Sequence, residues 1–148
     1  MSTFTFAKPS EFQGGTFFKP AEHMNDLALL IEPKSLAKDR PHTYQNKTTT
    51  RDEVTADVTV FPTEESLDKS APVVIKNAVF THFMLTDTLQ KVGMGGVTVA
   101  VIRKVPTKAG SGYAFRDVDA STEGKVGNYY VNREKAITEA LASVPDFD

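Results

Sequence analysis

The chain has 148 residues, 40% hydrophobic and 24% charged, which fits one soluble globular domain with enough residues for a real core. It has no cysteine, which excludes disulfides, thiolate zinc sites and a cysteine nucleophile, and no window approaches the ~18 to 20 continuous apolar residues of a membrane helix. The net charge is −2, so a surface for a polyanion must arise from the distribution of charge and not from its sum.

The start, Met1 to Phe6, has neither a basic nor an apolar signal region, so no secretory leader is expected and the cytoplasm is the expected compartment. Residues 1–25 mix aromatics with Gly14, Gly15, Pro9 and Pro20 and read as an irregular arm. Leu27 to Ile31 reads as a first, buried strand. Lys34 to Thr50 is polar, with Asp39-Arg40-Pro41 and Gln45-Asn46-Lys47, and reads as a long connecting loop. In Arg51 to Phe61, Val54, Ala56, Val58 and Val60 alternate with Glu53, Thr55, Asp57 and Thr59. That period of two predicts a strand with one face in a core and the other in water. Glu64 to Ser70 reads as an acidic loop, and Val73 to Phe80 as a third strand.

Phe83 to Lys91 predicts a short helix, with Leu85, Leu89 and Val92 roughly on one face. Val97 to Val105 and Tyr113 to Val118 predict a fourth and fifth strand around a hairpin loop, Pro106 to Gly112. Residues 119–142 predict a C-terminal helix with Val126, Tyr130, Ile137 and Leu141 as its apolar stripe, and residues 143–148 an acidic tail. The expectation is a mainly β single domain over residues 1–142. It is a five-stranded antiparallel barrel with a short helix between strands 3 and 4 and a C-terminal helix. Three strands, helix, two strands is the order of the OB-fold, which binds oligonucleotides with its strand 2–3 face and the loops joining strands 1–2 and 4–5. An SH3-like barrel or another small antiparallel barrel is the alternative.

Those two joining segments are the basic parts of the chain. The first holds Lys34, Lys38, Arg40, Lys47 and Arg51 against one acid, Asp39; the second holds Arg103, Lys104, Lys108 and Arg116 with none. Acids collect in Glu64, Glu65 and Asp68 and toward the C-terminus, so the chain is dipolar. Basic segments of this kind contact phosphates and give affinity that falls with salt. Tyr44, Phe61 and Tyr113 are candidates for stacking on bases, while Phe80 and Phe115 read as core and Phe17 and Phe18 fit either role.

No phosphate-cradling P-loop, G-x-S-x-G or H-E-x-x-H sequence is present, and His23, His42 and His82 are scattered. Asp39, Asp52 and Asp57 are the only carboxylates considered for a magnesium-dependent nuclease site, and Asp57 reads more simply as part of a polar strand face. The sequence makes no positive case for an enzyme, a cofactor or a metal.

Four stretches, Gly15 to His23, Leu29 to Lys34, Arg51 to Val58 and Gly110 to Val118, resemble the single-stranded DNA-binding proteins of tailed bacteriophages, particularly those of actinobacterial hosts. The resemblance spans roughly residues 14–135. It implies an OB-fold, protection of single strands in phage replication or recombination, and no catalytic residues. Many such proteins recruit replication partners through an acidic tip, of which Asp146-Phe147-Asp148 is a thin version. The expected partners are single-stranded DNA and replication or recombination proteins, with the chain acting as a monomer or homodimer. The alternatives are a protein-interaction or structural module on a similar barrel and a metal-dependent nuclease.

Overall fold

The alternation in the second strand builds the core. Val54, Ala56, Val58 and Val60 are all buried, and they pack with Leu29 and Ile31 of the first strand, Ala78 and Phe80 of the third, and Ile102 of the fourth. A computed structural model describes residues 16–108 and 110–142, with Tyr44 and Ala142 described by backbone alone. The first fifteen residues of the expected N-terminal arm and the expected acidic tail, 143–148, lie outside the described residues.

The strands are β1 (Ala28–Tyr44), β2 (Lys47–Phe61), β3 (Val73–Phe80), β4 (Thr98–Thr107) and β5 (Gly110–Arg116). They form one antiparallel five-stranded sheet in the order β3-β2-β1-β4-β5, curled into an OB-type half-barrel. Helix α1 is Glu64–Asp68, α2 is Phe83–Val92 and α3 is Ala120–Ala142. Between the third and fourth strands, α2 turns Leu85 and Leu89 into the barrel core.

Four sequence expectations need correction. Lys34 to Thr50 is not a loop: β1 runs 17 residues and β2 runs 15, paired to the tip, where Gln45 and Asn46 turn the chain at φ 50° and 62°. A positive φ at both central residues is the two-residue hairpin geometry that matches strand twist. The expected hairpin loop Pro106 to Gly112 is mostly strand, since β4 reaches Thr107 and β5 starts at Gly110. The expected acidic loop contains α1, begun by a capping box between Thr63 and Ser66. The irregular arm contains a one-turn 3-10 helix, Pro20–His23, and residue Phe17 bridges in parallel to Val79 on the edge of β3.

Outside the barrel, α3 covers the other face of β1. Asp119 starts it, its Oδ1 accepting from the Thr122 N–H at 2.7 Å. That hydrogen bond, reinforced by the Thr122 hydroxyl, holds the Asp119 carboxyl below the ordinary Asp value. Val126 packs with Ala28, Leu30, Phe61 and Leu67, and Arg133 donates to Glu32 at 2.9 Å. The expected apolar stripe is used only in its first half: Ile137 and Leu141 are 47% and 70% exposed.

Phe61 joins both layers, fully buried and edge-on to Tyr129 at 5.1 Å. Truncating it to Ala should cost about 3–5 kcal/mol, read as a lowered urea midpoint; an unchanged midpoint would mean α3 does not seal this face.

Candidate nucleic-acid interface

Beyond the barrel, β1 and β2 continue as a two-stranded arm. Cross-strand partners share a face, so its register assigns side chains to faces. Arg40 pairs with Arg51 and His42 with Thr49. Counting by twos along β2, Lys47, Thr49, Arg51 and Glu53 lie on one side, joined there by Arg40 and His42. The His42 Nε2–H donates to Glu53 Oε2 at 2.9 Å and ties this face together. Among the described residues Arg40, Lys47 and Arg51 form no ion pair, and all three are exposed. Two like charges directly opposite in a ladder repel and destabilise it.

The arm's cationic face leads into three hollows that meet at His82. The largest, about 580 Å³, is lined by Phe17, Phe18, His42, Thr81, His82 and Tyr113, with the one-turn helix at its mouth. The second lies between Thr49, Arg51, His82 and Phe83; the third between His82, Phe83, Met84, Gly112 and Tyr113. Phe83 is 80% exposed and Phe17 55%, high values for phenylalanines on a folded surface. Tyr113 meets His82 edge-on at 5.4 Å, and Phe17 meets His42 edge-on at 6.2 Å. Burial and the nearby Arg51 guanidinium hold His82 below its ordinary 6.5. Its Nδ1 is buried without a hydrogen-bond partner.

The expected site residues divide between this face and others. Arg40, Lys47, Arg51 and Tyr113 belong to it. Lys104 pairs with Tyr113 and so shares its side of the β4–β5 hairpin, and Lys108 sits at that hairpin's tip. Tyr44 pairs with Lys47 in the backbone ladder; its side chain lies outside the described residues. Lys38 lies in a bulge of β1, 3.9 Å from Asp52. Lys34 is directed away, to Asp57 at 3.4 Å and Asn77 at 2.9 Å. Arg103 and Arg116 occupy the opposite side of their hairpin from Tyr113, with Arg103 donating to the Met24 carbonyl at 2.8 Å. Phe61 is a correction: a ring with no exposed surface offers no face to a base.

The carboxylates considered for a metal do not converge. Asp52 accepts from the Asp39 N–H and from Gln90, bonds that hold its carboxyl low. Asp57, five residues on and so on the other face of β2, accepts from the Asn77 N–H; burial raises its pKa, but that bond together with Lys76 and Lys34 outweighs it and the net shift is downward.

Phe83 and His82 were missed as site residues, yet Phe83 had a signal. Leu85 and Leu89 define the buried face of α2, and a residue two positions before Leu85 points about 200° away from it. A phenylalanine there has no core to join.

A scan against protein-family models, a search of curated proteins and a search of solved structures each found no match.

Because the folded chain keeps His82 neutral below 6.5 while the unfolded chain protonates there, stability should fall as pH drops through that value. Denaturation curves on either side of it should show this loss, and His82→Gln should remove the His82 share. Identical pH dependence in the variant would mean that His82 titrates freely.

Proposed function

We propose that the chain binds single-stranded DNA without strong dependence on sequence, along the cationic face of the β1–β2 arm and across the aromatic hollows at its base. The observation that carries this reading is the Arg40–Arg51 pair. The fold sets two exposed guanidiniums opposite each other with no carboxylate on either among the described residues, an arrangement that an anionic backbone relieves. Lys47, Lys104 and Lys108 extend the positive field to both sides of the aromatic hollows.

Phe17 and Phe83 supply exposed rings between those charges, and Tyr113 supplies a third, half-buried one. Cationic grooves interleaved with aromatic platforms are how single strands are held, because every base has a face to stack and duplex bases are already stacked. In the OB-type barrel the arm and the β4–β5 hairpin both contribute to the aromatic hollows, and that fold binds oligonucleotides with the corresponding loops. With the resemblance to tailed-phage proteins, the setting proposed is the protection of single strands during phage DNA replication or recombination. No helix among the described residues is long and apolar enough to cross a membrane.

The test is a titration of labelled oligo-dT over a range of salt. Phe17→Ala and Phe83→Ala should each weaken binding by about 1–3 kcal/mol. Arg40→Ala and Arg51→Ala should flatten the dependence of log K on log salt by about 0.7 per lost phosphate contact. Each arginine variant should also be as stable as the parent or more so, by up to about 1 kcal/mol, since it removes a like-charge pair. Affinity untouched by all four substitutions would place the binding surface elsewhere.

A further inference from the structure

The largest hollow has two polar groups that the backbone-and-stacking reading does not use. The Glu22 N–H donates to the Lys19 carbonyl at 3.1 Å, closing the one-turn helix Pro20–His23. That bond brings the backbones of Lys19, the extended residue before the turn, and Glu22 together. Both line the aromatic cleft. Yet they form no ion pair with each other or with any other described group.

The cleft therefore has ring walls from Phe17, His42, His82 and Tyr113, and at its mouth an ammonium donor and a two-oxygen acceptor, both exposed and free of ion pairs among the described residues. Its volume of about 580 Å³ is that of a small-molecule pocket, ample for a flat heterocycle. A mostly apolar slot with a few convergent polar groups selects by hydrogen-bond pattern as well as by shape.

The four DNA bases differ in what they offer to such a pair. Guanine alone carries two adjacent donors, N1–H and the 2-amino group, that a carboxylate accepts in bidentate fashion, with the O6 acceptor beside them for an ammonium. Thymine offers a single N–H between two carbonyls, cytosine a single amino group, and adenine an amino group with no carbonyl. We propose that this cleft is a guanine-selective pocket for one base within an otherwise sequence-tolerant single-strand interface, with Glu22 accepting from the Watson–Crick edge and Lys19 donating to O6. The proposal rests on the single-stranded DNA reading above and adds a base preference to one position of it.

The experiment is competition anisotropy with oligo-dT carrying one central dG, dA, dC or deoxyinosine, against all-dT. The dG oligonucleotide should bind about tenfold more tightly than all-dT, the gain of one good bidentate contact. Deoxyinosine, which lacks the 2-amino group, should lose most of that gain, and in Glu22→Gln the dG-to-dT ratio should collapse toward one. A dG oligonucleotide no better than dA, or a preference that survives in Glu22→Gln, overturns the pocket while leaving single-strand binding intact. Failure of every oligonucleotide to bind removes the single-strand reading and the pocket with it.

Discussion

Strands β1 and β2 remain paired well past the core that anchors them. Inside the barrel their ladder is held by buried Leu29, Ile31, Val54, Val58 and Val60. Beyond Leu36 and Val54 there is little apolar burial, and a bare two-stranded ribbon is marginal in water. The arm is held instead by polar ties at its root: Asp52 accepts from the Asp39 backbone and from Gln90 on α2, and His42 is bound to Glu53. Farther out, Thr43 and Thr48 join their hydroxyls at 2.9 Å. The placement of Arg40, Lys47 and Arg51 depends on this extension, and so does the wall that His42 gives the cleft.

The barrel end and the outer arm of the β1–β2 ladder have different work. The outer face of β1 is closed by α3 and by acidic partners: Arg133 is taken up by Glu32, Lys125 by Asp68, and Lys34 by Asp57. On the arm, Arg40, Lys47 and Arg51 have no ion pair among the described residues, and their face meets the aromatic hollows. The net charge of −2 thus combines this cationic face with an excess of carboxylates elsewhere, such as exposed Glu64, Glu65 and Asp68. Only the first half of α3 takes part in closure; its last turns carry Ile137 and Leu141 into the open.

How much could be read in advance followed from how strongly each segment is buried. The period of two in Val54 to Val60 and the helical spacing of Leu85 and Leu89 were legible because each has a core on one side, and they sufficed for the OB-type order. The outer arm was illegible for the opposite reason. With water on both faces, Lys34 to Thr50 has no apolar alternation, and Pro33 and the bulge before Arg40 break what pattern there is. Phe61 shares the odd, polar side of β2 in sequence, whereas α3, from Ala120 onward, covers it. The basic segments are plain in the sequence, but only strand register separates Lys104 from Arg103, and only distance along the ladder separates Arg51 from Lys34. That register is a property of pairing, which the chain does not spell out locally.

The most direct measurement is a competition, without added metal, between a labelled oligo-dT bound to the protein and unlabelled single-stranded or duplex DNA of equal length. Single strands should displace the label far more effectively than duplex, because exposed rings such as Phe83 have bases to stack on only when strands are apart, and both should weaken as salt rises. Equal displacement by duplex, or no binding of the label at low salt, would contradict the account.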